Sequence, residues 1–321
     1  MEPQKDMRSM EQSEMSNLSN NEVDIIDLIK ALWRGKWLII ASTVIFALGS
    51  ILFALSQPNI YQADALLAPT ETSNGGGLSK MAGQFGGLAA LAGVNLSGGD
   101  SSQTELAVQV MKSRQFIKGF IEKHEILIPL MATKGWDISN NKLVYDENIF
   151  DINSKEWLRS PSGLRGVIPS DQEAYEVFLT KNLNVKHDKE TGLYTISVKH
   201  YSPYIAQQWV NWLVEDINKV MRERTVRESS KNLAYLNNQL KKTSLTDMQS
   251  TFFKLIEEQT KSLMLAEAQD EFVFKTIDSA VVPEVKIAPN RAMICIIGTL
   301  IGAFLSSILI LLYHAYRTEN S

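Results

Sequence analysis

Four histidines, one cysteine and a few paired carboxylates are the residues of this chain whose types could do chemistry. His124, His187, His200 and His314 stand far apart and show no H-E-x-x-H spacing, so they build no metal site along one helix face. Cys295 is the single cysteine, which excludes an intrachain disulfide and a cysteine-based metal site. Glu257-Glu258 and Asp270-Glu271 offer carboxylates, but at these spacings they read as solvated helix faces rather than a general-acid pair. Gly75-Gly76-Gly77, Gly86-Gly87 and Gly98-Gly99 have the composition of a phosphate loop. The order Ser79-Lys80 is the reverse of G-x-x-x-x-G-K-[ST], and a flexible loop with a short apolar helix over residues 88–94 accounts for the stretch. There is no G-x-S-x-G elbow and no dinucleotide fingerprint. The expectation is a protein that is not an enzyme, with no catalytic residue, cofactor or metal site.

Two elements must then organise the chain. Residues 292–313 contain no charge, and about 20 such residues cross the ~30 Å of a bilayer core as a helix. Gly298 and Gly302 lie inside this run at G-x-x-x-G spacing, with Ser306 and Ser307 a turn on, which lets two membrane helices approach closely and could join copies of the chain. Residues 37–55 form a second uncharged run. Lys30, Arg34 and Lys36 precede it, whereas the first charges after it are Asp64 and Glu71, so the positive-inside rule puts the N-terminus in the cytoplasm. Ala54-Leu55-Ser56 faintly resembles a cleavage site, but the leader is long and the run exceeds a signal peptide's, which favours an uncleaved anchor. Near the second run Lys286 and Arg291 outnumber Arg317; the first span decides, because a long intervening domain translocates largely regardless of charge. Both termini are expected in the cytoplasm, with no cytoplasmic domain for nucleotide chemistry. A formal charge of −4 argues against nucleic acid as partner.

The resulting division is a cytoplasmic tail with an amphipathic helix (1–36), a first span (37–56), an extracytoplasmic domain (57–291), a second span (292–313) and a short tail (314–321). Residues 1–21 read as a mobile tail, and Val23, Ile25-Ile26, Ile29 and Leu32-Trp33 as a helix lying on the membrane surface. Within the domain, residues 61–68 alternate as a strand ended by Pro69. Residues 104–127 read as one helix, with Leu106, Val110, Phe116-Ile117 and Phe120-Ile121 on one face and Pro129 ending it. One strand (142–145) stands out of a mixed stretch up to Pro169. Ser170 and Glu173 then form a capping box for a helix to residue 183. Residues 184–187 and 193–200 predict a hairpin, with Tyr194, Ile196 and Val198 alternating against Thr195, Ser197 and Lys199. Ser202-Pro203 opens the longest helix, in which Ala206, Trp209-Val210, Leu213 and Ile217 make an apolar stripe. From residue 222 to 231 that helix is polar on nearly every side, as in a helix running through solvent. A cap at Ser244 starts a second helix to about residue 269, and residues 272–282 return as a strand. The prediction is an α+β membrane protein: two transmembrane helices flank an α/β base bearing an extended helical hairpin over about residues 202–270.

This layout resembles the Wzz-type polysaccharide co-polymerases, the bacterial chain-length determinants. Three segments carry the resemblance: Val23-Asp24-Ile25-Ile26-Asp27-Leu28 through Leu32-Trp33-Arg34-Gly35-Lys36; Tyr194-Thr195-Ile196-Ser197-Val198 followed by Ser202-Pro203, Ala206 and Asn211; and Pro283 through Pro289 and Arg291 into the Gly298/Gly302 span. The proline segment has two prolines, fewer than richer forms of the family, and Ser279 stands where a proline is common. Related bacterial tyrosine kinases share the periplasmic half and add a cytoplasmic nucleotide-binding domain and a Tyr-rich tail. The resemblance implies an inner-membrane homo-oligomer with a periplasmic domain. It would act as a non-catalytic scaffold or ruler for lipopolysaccharide O-antigen length, beside the O-antigen polymerase and on lipid-linked polysaccharide. The candidate length-setting face is Arg222, Arg224 and Arg227. Enterobacterial common antigen, capsule or exopolysaccharide are alternative polymers. A periplasmic adaptor of an export system is the more distant reading, disfavoured because the short strands of such adaptors are few.

Overall fold

The computed structural model describes residues 32–70, 99–242 and 246–319. The tail over 1–21, most of the surface helix, the Gly-rich stretch with its apolar helix and the Ser244 cap lie outside the described residues. In chain order the elements are helix α1 (Lys36–Ser56), strand β1 (Tyr61–Pro69), helices α2 (Gly99–Met111), α3 (Arg114–Lys123) and α4 (Leu127–Met131), and strands β2 (Thr133–Asp137), β3 (Lys142–Tyr145), β4 (Phe150–Asp151) and β5 (Glu156–Trp157). Helix α5 (Asp171–Val177), strands β6 (Leu183–His187) and β7 (Tyr194–His200), helices α6 (Pro203–Lys242) and α7 (Thr246–Ala268), strand β8 (Phe274–Asp278) and helix α8 (Arg291–Glu319) complete the chain. They form two compact units, one holding α1 and α8, the other Pro58–Ala288.

The larger unit is built on an antiparallel sheet of order β6-β7-β1-β8. In β1 the side chains of Tyr61, Ala63, Ala65 and Leu67 are buried, at the period of two that one covered sheet face requires. Tyr194, Ile196 and Val198 are likewise buried in β7, but Ser197, which the alternation put on the other face, is buried as well. Gly192, at φ 73°, takes the left-handed position in the β6–β7 turn, where a Cβ would be strained. Helix α6 lays Ala206, Trp209, Val210, Leu213 and Ile217 into this core, all at most 1 % exposed. The carbonyl of Ser202 accepts the first helical bond, from Ala206 N–H, and Pro203 sits at the position where its missing N–H costs nothing. Past Met221 the helix leaves the sheet and packs along α7: Ser229 Oγ lies 3.4 Å from Ser262 Oγ, and Asn232 Nδ2 donates to Gln259 Oε1 at 3.3 Å.

Several expectations are corrected. The helix over 104–127 is two helices, because Ser113 caps α3 by accepting Phe116 N–H at 3.3 Å. The break turns the first piece, so Ala107 and Met111 are buried while Leu106 is exposed and Val110 only half-buried. Pro129 does not end the helix; it lies inside α4, a single turn where no intrahelical N–H is lost, and Glu125 at φ 51° makes the actual break. Residues 133–157 hold two small hairpins rather than one strand, meeting edge-on through Tyr145, Phe150 and Trp157 at 6.2 and 5.1 Å. Helix α5 stops at Val177 and passes through a π turn (Phe178–Asn182), which keeps Phe178 buried. The returning strand covers Phe274–Asp278 only, and residues 279–290 run on without regular structure. The stretch 222–231, polar on nearly every side, does not run through solvent alone, since Ser229 is buried against Ser262 and Val226 is half-buried.

Both terminal helices have the length and composition of membrane spans, with mean hydropathy 2.5 and 2.6 over their best windows. As a pair they reverse the soluble pattern. Leu52, Leu300, Phe304 and Leu309 point outward, whereas Gly298, Gly302 and Ser306 face inward. Small and hydroxyl residues between helices and apolar ones outside is the arrangement that lipid favours.

Candidate functional site

The positions singled out by the sequence fall into three places. Gly298 and Gly302 face α1 of the same chain: a Cβ on Gly298 would come within 2.5 Å of Ser50 Cβ, and one on Gly302 within 2.6 Å of Phe46 Cβ. The close approach this spacing permits is therefore made between the two spans of one chain. Arg291, at the start of α8, donates from Nε to the carbonyl of Ala54 at 3.2 Å, a cation at the C-terminal end of α1 where the helix dipole is negative. Pro283 and Pro289 lie half-buried in the return segment, where Ile60 and Ala288 form an isolated antiparallel bridge.

Pro203 and Ala206 are buried at the root of α6, and Asn211 is exposed two turns on. This junction is fixed by a residue that spacing did not single out. His200 is 4 % exposed; its Nε2 lies 3.2 Å from the Pro129 carbonyl and its Nδ1 accepts Ser202 N–H at 3.0 Å. That pairing sets the neutral tautomer with the proton on Nε2. Burial pushes its pKa down to about 4, against the weaker opposing effect of the two backbone contacts.

Arg222, Arg224 and Arg227 do not converge. Arg222 pairs with Asp270 at 2.8 Å, Arg224 with Glu228 at 3.0 Å, and Arg227 is exposed. Arg222 and Arg227 line a shallow groove along the hairpin with Glu223, Val226, Ala266 and Glu267, and Arg224 stands outside it.

Three buried polar centres have partners that spacing did not reveal. Asp216, 6 % exposed, accepts from Lys123 and from His124 Nε2 at 2.8 Å, more than 90 residues away in the chain. Glu173 receives a fork from Arg159, whose Nε and Nη2 also hold the carbonyls of Val167 and Ile168 at 2.8 and 3.2 Å. The guanidinium holds the Glu173 carboxyl below the usual range. The Ser170 half of the predicted capping box forms, with Ser170 Oγ accepting Glu173 N–H, but the Glu173 side chain is bound by Arg159. Asn218 accepts the N–H groups of Val273 and Phe274 and donates to the Phe274 carbonyl, each at 2.9 Å, and so ties α6 to β8. Asp216 and Glu173 are thus each engaged by a cation of their own domain. Among the described residues no cluster of three or more His, Cys, Asp or Glu could hold a metal ion.

Together these features define a class: a mixed α/β domain with a protruding helical hairpin, flanked in sequence by two helices of membrane-span character. The family model described as Wzz, chain length determinant protein, matches residues 21–124, and over that stretch the resemblance to the Wzz-type family is shown. Among solved structures the chain is similar to a full-length bacterial polysaccharide co-polymerase, at 14% identity and TM-score 0.39, covering 93% of this chain and 100% of that one. It is also similar to a fragment of WzzB, a polysaccharide co-polymerase from Salmonella Typhimurium, at 8% identity and TM-score 0.32, covering 72% and 100%. No curated protein matches the chain.

Proposed function

We propose that this protein sets the modal chain length of lipopolysaccharide O-antigen, as a non-catalytic homo-oligomeric scaffold working with the O-antigen polymerase on lipid-linked polysaccharide. The observation that carries the reading is the family match over 21–124, which runs from the basic N-terminal flank through α1 and β1 into α3. In this reading the chain crosses the inner membrane twice. Lys30, Arg34 and Lys36 hold both termini in the cytoplasm, and Pro58–Ala288 is periplasmic. Tyr235, Phe253 and Met264, each about 60 % exposed on the hairpin, support packing between copies, because such apolar side chains gain by leaving water. Gly298 and Gly302 serve the intrachain pair of spans, and Arg222, Arg224 and Arg227 are the length-setting face.

Deleting the gene and resolving the lipopolysaccharide on a gel tests the reading. The expected result is loss of modal banding, restored by the intact chain. An unchanged O-antigen ladder contradicts it; a changed distribution of common antigen, capsule or exopolysaccharide in the same strain would move the assignment to that polymer.

A further inference from the structure

The first half of α6 turns one face away from the sheet. On it Tyr204, Gln207, Gln208, Asn211 and Trp212 take the i, i+3, i+4, i+7, i+8 spacing of a single helical stripe, and they line a shallow open groove. At ~1.5 Å per residue the stripe runs about 12 Å from Tyr204 to Trp212. An ordinary solvated helix face carries Lys and Glu, as the exposed Glu215 and Lys219 do just beyond it. This stripe carries aromatic rings and carboxamides instead.

The groups are also held in place. Tyr204, 49 % exposed, meets Trp136 edge-on at 6.0 Å, and Trp136 is fixed by Tyr61 at 5.7 Å and by donating from Nε1 to Asn141 Oδ1 at 3.0 Å. Trp212 stacks on the imidazole of His124 at 4.1 Å with the planes 12° apart. The buried Asp216 anchors that imidazole, so the carboxylate orients the indole through it. Gln207, half-buried, is held by donating to the Ala280 carbonyl at 2.9 Å. Gln208 and Asn211 stand in sequence between the two rings, and both are exposed in the groove lining.

Each carboxamide offers donors and acceptors together, matching vicinal hydroxyls that do both. Tyr and Trp add apolar ring surface with a polar tip, suited to a ligand with C–H faces and hydroxyl edges. A lining without charge gives no attraction for phosphates or carboxylates. From this geometry we propose that the Tyr204–Trp212 stripe binds a neutral segment of a glycan chain. The inference rests on the reading that this protein works on a polysaccharide and identifies the residues that touch it.

Saturation-transfer NMR on the full chain in nanodiscs tests this, with maltoheptaose as the neutral probe and a seven-residue oligogalacturonate as the acidic one. The expected result is transfer to the C–H protons of maltoheptaose and at least a fivefold weaker signal for the acidic oligomer. Tyr204→Ala should lower the neutral signal at least fivefold. The double variant Gln208→Ala with Asn211→Ala should do the same, and it removes groove amides without touching the core. Lys189→Glu, exposed in the β6–β7 turn and far along the chain from the stripe, should leave the signal unchanged. No transfer in the intact protein, equal transfer to both oligomers, or full signal in the double variant overturns the proposal. So does a photoreactive side chain at position 211 that captures lipid or a second copy of the chain in preference to the glycan. The gene-deletion ladder is read independently, so loss of glycan binding with intact length control defeats the stripe and not the function.

Discussion

The two halves of α6 are one continuous helix under two different physical regimes. From Pro203 to Met221 its inner face is sealed onto β1 and β7, with Trp209, Val210, Leu213 and Ile217 at most 1 % exposed. From Arg222 onward it runs along α7, with Val226 half-buried against the core and polar contacts around it: Arg222 to Asp270, Ser229 to Ser262, Asn232 to Gln259. The Arg222–Asp270 pair, whose Asp270 side chain is fully exposed, is screened by water and contributes little. A buried Leu contributes far more. The first half therefore sets whether the domain folds, and the second is free to be set by what it touches outside.

The largest effect should come from the sheet-bound half. Leu213→Asp places a carboxylate at a position that is 0 % exposed within the apolar core, and should cost more than about 4 kcal/mol. Circular-dichroism melts of the purified protein should show loss of the cooperative transition. If the variant melts like the parent, the core does not lie beneath the first half of α6.

A smaller, pH-dependent effect belongs to the root of the same half. His200 is neutral when folded, with a pKa of about 4 against 6.5 for the free side chain. Above pH 6.5 both states are neutral and the group adds no pH dependence. Between 6.5 and 4 the unfolded chain takes up a proton that the folded chain does not, so stability falls as pH falls. The full difference is about 3 kcal/mol. His200→Gln should lose stability at pH 7 and flatten the decline between pH 6.5 and 4 in denaturant titrations. An equal decline in both proteins would mean that other groups carry it.

These differences also explain what could be read from sequence. The root of α6 was legible because Ser202-Pro203 and the 3.6-residue stripe are local signals, and β6–β7 because alternation and Gly192 are local too. The engagement of Asp216 by Lys123 and His124, the clasp of Asn218 on β8 and the fork of Arg159 on Glu173 join residues between 14 and about 90 positions apart, with no periodicity to betray them. The split at Ser113 was missed because apolar spacing ran across it, and periodicity does not see a cap. The candidate site was legible only in part: Arg222, Arg224 and Arg227 could be placed on the outer half, but not their separate partners. Asn211 could be singled out, but not the stripe between Tyr204 and Trp212, whose meaning depends on Trp136, His124 and Ala280.

The smallest expected effect on stability is also the most direct test of the division between the two halves. Arg222→Glu, Arg224→Glu and Arg227→Glu combined should change stability by no more than about 0.5 kcal/mol per site, since each side chain is outside the core. Thermal melts and polymer ladders should be measured side by side for this triple variant and for Leu213→Asp. The account predicts a triple variant that melts within a few degrees of the parent yet gives a shifted modal length, beside a Leu213→Asp protein that neither folds nor controls length. A triple variant that unfolds as Leu213→Asp does, or that folds and leaves the ladder unchanged, would contradict it.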